Sequence, residues 1–454
     1  MNLDTFFRAD RIAVIGASRE EGKVGNVVFK NFLEGFDKEV FPVNPNADEV
    51  LGYKCYKSVR DIPGKPELAI ICIPAKFVPG AVIECGKKGI RHVIIISAGF
   101  KEVGNDRLEK DLFNALKKYD IKCIGPNCLG VYASRGHIDT LFLPKNRLKR
   151  PKAGVISFVS QSGASGSAIL DLAAEEGFGF AKFISYGNAI NVDESDLIEY
   201  LGNDADTKVI CLYVEGVKDG RKFLETCKKV AAKKPVIAIK GGITDAGKKA
   251  ALSHTGSLAG SAEVYFGAFK QAGVTIAHTL EEVFDYMKVF EKVQVRPKGR
   301  KIQVITNGGG FGILCSDAVA GLGLEMSEMS SAVKNSLKKK LPSIAAVGNP
   351  VDLLGDATTE RYRLALDACI KDKNVDVIVA VVLSQTPLIE KEIITDVLEE
   401  FNNRKKKPIV TVTTGSEFSE KLKQEIEDSG LPCFRFPFNA VRAVKAYLEY
   451  YKKI

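Results

Sequence analysis

The sequence predicts an α/β protein of three doubly wound parallel-sheet domains in a row: a Rossmann-type domain over residues 1–145, then two related domains over 151–293 and 300–454. Three observations predict it. Short β-branched runs alternate with amphipathic stretches from end to end, the rhythm of strands joined by crossover helices. Two basic, proline-bearing stretches, LPKNRLKRPKAG (143–154) and QVRPKGRK (294–301), interrupt that rhythm and read as linkers. The second and third domains also match each other when the chain is slid by 146 positions.

In the first domain the strands are RIAVIGA, EVFPVNP, ELAIICIP, HVIIISAGF and KCIGPN, with helices expected around 25–35, 76–88 and 106–119. The second domain opens at GVISFVSQSGASG and the third at IQVITNGGGFG. The slide lays 155–177 on 301–323: Gly163 meets Gly309, Gly166 meets Gly312, Asp171 meets Asp317 and Gly177 meets Gly323. Further on, GNAINVDESD (187–196) echoes GNPVDLLGDAT (348–358), and a strand follows each. One matched glycine pair is chance; the ordered set indicates duplication.

Composition narrows the function classes. Hydrophobic residues make up 45% and charged residues 27% of the 454 positions, an ordinary globular balance. The 65 basic and 56 acidic side chains leave a formal charge of +9, spread along helices with no basic arm, so nucleic acid is not expected as a partner. An anionic small molecule suits that balance. Ten cysteines lie scattered in apolar contexts with no C-x-x-C pair and no metal-ligand spacing, so buried free thiols, a reducing cytoplasmic compartment and no metal site are expected. MNLDTFFRADRIAVIGAS runs straight into a strand pattern, and the longest apolar runs are strand-length, so neither a leader nor a membrane helix is expected.

Three strand-to-helix corners are candidate anion sites, because unfilled N–H groups and the positive helix end meet there. GASREEGKVGN (16–26) is the first. It is not the G-x-G-x-x-G fingerprint, and its second strand ends in PVNPN rather than an acidic residue for a ribose, which disfavours a nicotinamide enzyme. SQSG (160–163) is the second; Ser160 or Ser162 also serves there as an ordinary helix cap. TNGGG (306–310) repeats that corner with glycines that let a ligand approach the backbone. Two such corners on duplicated domains suggest a pair of anion cradles facing a common centre.

ALSHTGSLAGS (251–261) sets His254 among small residues. A solvent-facing side chain is the plain reading of such a histidine. A serine hydrolase would need a nucleophile elbow, and no G-x-S-x-G is present. A metal site would need more His or Cys nearby. What remains is a nucleophilic imidazole on a small-residue loop with room for a phosphoryl group. A carboxylate on its second nitrogen would raise its basicity, and Glu215 in LYVEGV, at the carboxyl end of a central strand, is the candidate. His92, His137 and His278 sit near element ends and read as structural or exposed.

With these motifs in hand, the sequence resembles the α subunits of ADP-forming acetyl-CoA synthetases, the NDP-forming acyl-CoA synthetases related to succinyl-CoA synthetase. GAS-x(6)-GN, PVNP, IPA, SAGF, GPNCLG, SQSGASG, SHTG and NGGG carry it in this order over nearly the whole chain. The resemblance implies an N-terminal Rossmann-type CoA-binding domain followed by two duplicated flavodoxin-like ligase domains. It implies the reaction acyl-CoA + ADP + phosphate ⇌ carboxylate + ATP + CoA, through an acyl phosphate and a phosphorylated His254 oriented by Glu215. The first phosphate cradle would be Ser160, Gln161, Ser162 and Gly163, and the second Asn307, Gly308, Gly309 and Gly310. Coenzyme A would lie on Gly16, Ala17, Ser18, Lys23, Asn44, Pro45, Ile73 and Pro74, with Asn127 beside the thioester. Asn46 stands where the family pattern would have a basic residue, so another lysine would meet the CoA phosphates. The family carries its ATP-grasp module, with ADP or ATP and Mg, on a separate β subunit, which implies an α2β2 assembly. A CoA-binding regulator without chemistry is the alternative; His254 and Glu215 speak against it.

Overall fold

The computed structural model describes residues 2–247 and 261–453; His254 and its loop lie outside them. The chain forms two compact units, Met1–His278 and Thr279–Ile454.

The first unit holds two sheets. One has five parallel strands in the spatial order Glu39–Val43, Arg11–Ile15, Leu68–Ile71, His92–Ile95 and Lys122–Ile124. The chain builds outward from Arg11–Ile15 in both directions, so a ligand crevice opens at the carboxyl ends beside that strand. Helices Val24–Leu33, Val78–Lys88 and Asp106–Lys118 cover it close to the expected ranges. The last shows why such segments are helical. Asn105 accepts the N–H of Leu108, Asp106 and Glu109 sit in the first turn, and Lys117 and Lys118 in the last, matching the dipole at both ends.

The second sheet runs Thr275–Ala277, Val236–Lys240, Val209–Val214, Lys152–Ser160, Gly179–Ser185, Gly130–Ala133 and Ile138–Asp139. The first five are parallel; the last two form a hairpin antiparallel to Gly179–Ser185. That hairpin lies inside the stretch expected to belong to the first domain, yet it completes the second sheet. Its apolar residues Val131 and Ile138 are wholly buried, in one hydrophobic cluster with Phe6, Phe7, Val159 and Ile184. A continuous core of this kind makes one compact unit of two sheets.

The second unit has a sheet in the order Ala346–Val347, Val351–Asp352, Lys301–Thr306, Val377–Val381, Ile409–Val412 and Cys433–Phe434, with Glu325–Met326 also paired to Lys301–Thr306. It begins earlier than the expected linker at 294–301. The helix Leu280–Lys292, read from sequence as the close of the second domain, lies against the last helix, Pro437–Lys453. Arg442 bonds Asp285 at 2.5 Å, and the Tyr447 hydroxyl donates to the Val293 carbonyl at 3.2 Å.

The duplication is visible in the hydrogen bonds. The helices after the first strands, Gly163–Glu175 and Gly309–Gly321, are each 13 residues long and start 146 positions apart. Ser160 Oγ donates to the Ser162 carbonyl at 2.7 Å, and Thr306 Oγ1 donates to the Gly308 carbonyl at 2.9 Å, the same bond at matched positions. A Cβ on Gly166 would meet the side chain of Ser160 at 3.0 Å; one on Gly312 would meet that of Thr306 at 3.0 Å. Both helices therefore approach their first strand through a glycine that packing requires. Of the ten cysteines Cys72 is partly buried and the other nine are buried. Among the described residues no helix is long and apolar enough to cross a membrane.

Candidate functional site

At the corner after Arg11–Ile15 the motif residues mostly hold one another. Gly16 has φ +94°, and a Cβ there would stand 2.5 Å from the Cys72 carbonyl oxygen. A Cβ on Gly25 would stand 1.9 Å from the Gly16 carbonyl oxygen, so the helix Val24–Leu33 can enter only over bare backbone. Asn26 Nδ2 donates to the Ser18 carbonyl at 2.9 Å, and Asn44 Nδ2 donates to the Ala17 carbonyl at 2.8 Å. The side chain of Asn44 thus fixes the turn that carries Ala17 and Ser18. Lys23 is ion-paired with Glu20 at 2.8 Å on the surface. Pro45 follows the second strand, and Pro74 precedes a short turn over Ala75–Phe77.

The SQSG corner is built by straps. Ser162 caps its helix by accepting the Ser165 N–H at 3.2 Å, the ordinary role expected of it. Gln161 Oε1 accepts the N–H groups of Glu215 at 2.7 Å and Gly216 at 2.9 Å, tying the corner to the loop after Val209–Val214. In the second compact unit Asn307 does the same: its Oδ1 accepts the Leu383 N–H at 2.9 Å and its Nδ2 donates to the Leu383 carbonyl at 2.9 Å. Gly308 takes the cap position there without a side chain.

The two lobes of the first unit enclose a cleft of about 950 Å³. Its wall brings together four of the residues picked out from sequence, Ile73, Asn127, Gln161 and Gly163. Gly16, Ala17, Ser18, Lys23, Asn44, Pro45 and Pro74 are not in that wall; Val24 at the start of the first helix is. Asn127 has φ +59°, and its Nδ2 donates to Asn188 Oδ1 at 3.3 Å. Asn188 in turn donates to Glu102 at 2.7 Å, and Lys218 Nζ donates to the carbonyls of Asn188 and Ala189 at 2.8 and 2.7 Å. Lys101, Lys218 and Glu194 also line the cleft, and sequence reasoning did not single them out. Lys101 and Lys218 bring cations to the cleft that Gln161 and Gly163 also line, and nothing in their local sequence distinguishes them from other lysines. Glu194 sits in the acidic run DESD, which reads as a helix start.

Glu215 is 8% exposed, and its Oε2 accepts no hydrogen bond. Its backbone carbonyl accepts from Lys240 Nζ at 2.8 Å. A buried carboxylate oxygen without a donor is costly, so this one calls for an N–H partner. His254, expected to supply that N–H, lies outside the described residues. The other histidines fit their structural reading. His92 Nε2 lies 3.3 Å from the Asn2 carbonyl with its pKa lowered chiefly by burial, and His278 meets Phe266 edge-on at 5.4 Å. His137 occupies a tight turn with φ +54°.

The family matches of the lobes that share this cleft give the class: a CoA-ligase chain of the succinyl-CoA ligase type. Residues 10–134 match the family described as a CoA binding domain, 153–290 the succinyl-CoA ligase like flavodoxin domain, and 302–452 the ligase-CoA domain. The chain is 41% identical to the α subunit of acetate–CoA ligase [ADP-forming] II of Pyrococcus furiosus, covering 100% of this chain and 98% of that one. It is 41% identical to acetate–CoA ligase [ADP-forming] I of Archaeoglobus fulgidus over 99% of this chain, but spans only 64% of that relative. Acetyl-coenzyme A synthetase 1 of Ca. Korarchaeum cryptofilum, solved with phosphate and ADP, superposes with a TM-score of 0.93 at 33% identity over 99% of this chain and 97% of that one. The chain belongs to the α-subunit family of the ADP-forming acetate–CoA ligases. The expectation of a catalytic subunit rather than a CoA-binding regulator holds, since its full-length relatives are ligases.

Proposed function

We propose that this chain binds coenzyme A and carries the phosphoryl group in an ADP-forming acetate–CoA ligase. The observation that carries the reading is the shared cleft: Ile73 and Asn127 from the CoA-binding lobe open on the same space as Gln161 and Gly163 of the helix-end corner. A thioester held by the first pair lies within reach of a phosphate held by the second. Phosphate attacks the thioester carbonyl and CoA departs. The resulting acyl phosphate passes its phosphoryl group to His254 and leaves as the carboxylate. His254 then phosphorylates ADP. Glu215 holds the imidazole tautomer that presents a free nitrogen to phosphorus, which its unpartnered Oε2 supports. Ser160, Gln161, Ser162 and Gly163 orient backbone N–H groups toward the first phosphate position, and Asn307, Gly308, Gly309 and Gly310 form the second cradle. The turn residues Gly16, Ala17, Ser18, Lys23, Asn44, Pro45 and Pro74 shape the CoA-facing edge of the first lobe.

ADP with Mg belongs to an ATP-grasp β subunit in an α2β2 complex. The third of its length that the Archaeoglobus fulgidus relative has beyond this chain supports a second module of that kind. The working compartment is the cytoplasm. The test is the co-expressed complex with acetyl-CoA and labelled phosphate. A label on this chain that is acid-labile and base-stable, and that disappears in His254→Ala together with ATP synthesis, supports the proposal. ATP synthesis that survives His254→Ala overturns it, and normal turnover by this chain alone overturns the need for a partner. Glu215→Gln is expected to lower turnover by about 10–100-fold.

A further inference from the structure

One buried group on the cleft has no place in that scheme. Glu194 begins the helix Glu194–Asn203, is 2% exposed, and lines the same wall as Asn127, Gln161 and Gly163. Its Oε1 is buried with no hydrogen-bond partner, and it makes no ion pair among the described residues. Two more orphaned polar atoms, Tyr186 Oη and Glu215 Oε2, lie close enough for Tyr186 to feel both carboxylates. A structural carboxylate at this depth would be paired, because an unpaired buried charge is strongly unfavourable. The nearby cation, Lys218, directs its ammonium to backbone carbonyls instead.

Resting on the reaction proposed above, we propose that Glu194 is a catalytic residue of the thioester step: it enters as the neutral acid and carries a proton from the attacking phosphate to the departing sulfur. HPO4 2− forms a P–O–C bond to the carbonyl carbon, the C–S bond breaks, and its electron pair goes to sulfur. The Glu194 carboxyl gives its proton to that sulfur and is refilled by the proton of the attacking phosphate oxygen. Acyl-CoA and HPO4 2− become acyl phosphate and CoA thiol, and no proton is exchanged with solvent. In reverse the carboxylate accepts the thiol proton.

The surroundings tune the group for this. Burial pushes the carboxyl up to about 7; a hydrogen bond from its own backbone N–H opposes this, Asp193 adds repulsion, and Lys218 lowers it through its charge and its backbone N–H. Tyr186, Tyr265 and Cys227 face it from the neighbouring loop and helices, and Lys222 binds Asp193 at 2.9 Å, moderating that repulsion. A general acid works best with a pKa near the working pH.

Arsenate replaces phosphate and gives an acyl arsenate that hydrolyses, so release of CoA thiol from acetyl-CoA by the assembled complex reports this step without ADP. The readout is the ratio of wild type to Glu194→Gln at saturating arsenate, since arsenate's own ionisation cancels. Gln keeps the shape but holds no transferable proton. The ratio is expected to be about a hundredfold at pH 6 and to fall about tenfold per pH unit above about pH 7. CoA affinity by calorimetry is expected to be the same in both. Glu194→Asp, which keeps a proton, is expected to retain a pH-dependent ratio to Gln. A ratio within about threefold of unity at every pH, or one that is pH-independent with Gln and Asp alike, overturns the role of Glu194. Absence of arsenate-dependent thiol release in the wild type overturns the parent reading instead.

Discussion

Gln161→Ala tests how the corner is held. The wild-type carboxamide oxygen accepts two backbone N–H groups, from Glu215 at 2.7 Å and Gly216 at 2.9 Å. Truncation strands both donors. A buried donor without a partner costs about 1–3 kcal/mol, and the corner borders a cleft that water can enter, so the pair together comes to about 2 kcal/mol. That energy is local: it lowers the cost of opening the loop after Val209–Val214 rather than unfolding the chain. Hydrogen exchange of a peptide spanning 213–218 is the assay, and about 2 kcal/mol corresponds to about 30-fold faster exchange there. Turnover of the complex falls as well, because Glu215 leaves its position. Asn307→Ala is the duplicate experiment, with the change centred on Leu383. Exchange within about twofold of wild type across 213–218 would show that Gln161 is not the strap, and the account of how Glu215 is positioned would fail with it.

Three further outcomes are expected. Gly25→Ala puts a methyl 1.9 Å from the Gly16 carbonyl oxygen; it should destabilise by about 1–3 kcal/mol and weaken CoA binding at least about tenfold by calorimetry, whereas Gly80→Ala, with nothing within 4 Å, should be neutral or slightly stabilising. Burial raises the Asp204 carboxyl pKa, but hydrogen bonds from Lys182 and Thr207 and the lysine charge outweigh it, so the folded value is lowered. Its contribution is therefore present above the unfolded value of ~3.9 and lost as pH falls through the folded one; urea midpoints should drop in that acid window, and Asp204→Asn should remove that part of the slope while costing about 3–5 kcal/mol at neutral pH by leaving Lys182 buried. Gly310→Ala meets nothing within 4 Å, so the melting temperature should hold or rise while ATP synthesis at low phosphate falls at least about tenfold; unchanged synthesis would remove Gly310 from the second cradle.

What the sequence revealed follows from what is local. Strand–helix alternation, corners and the 146-residue repeat are short-range patterns, and the strands and helices of the first lobe appear close to where periodicity puts them. The hairpin Gly130–Ala133 with Ile138–Asp139 escaped because its partner strand, Gly179–Ser185, is some fifty residues away and nothing in VYAS names it. The helix Leu280–Lys292 escaped for the same reason: Asp285 meets Arg442 across 157 positions. At the site, Gln161 and Asn127 were visible as parts of motifs, and so was Asn44, but that its carboxamide holds the Ala17 turn shows only in the fold. Glu194 was hidden because burial, not residue type, makes it unusual: in sequence DESD is a capping run, and Asp193 and Asp196 do form the capping box.

The duplicated corners differ in a way that the proposed reaction accounts for. In both copies an amide side chain straps the first strand's end to the loop after a parallel neighbour of that strand: Gln161 to Glu215, and Asn307 to Leu383. The hydrogen bond is kept and the strapped residue changes from a carboxylate to an isobutyl group. A carboxylate beside a helix N-terminus repels the anion that the terminus attracts, so a corner meant only to cradle phosphate is better without one. The first copy accepts that repulsion. In the proposed reaction its unpartnered carboxylate oxygen meets a donor that arrives with the anion, the imidazole that carries phosphorus. The second copy, with leucine at the strap and Gly308, Gly309 and Gly310 on the helix end, is left as bare backbone donors, suited to receiving such a group and not to activating it.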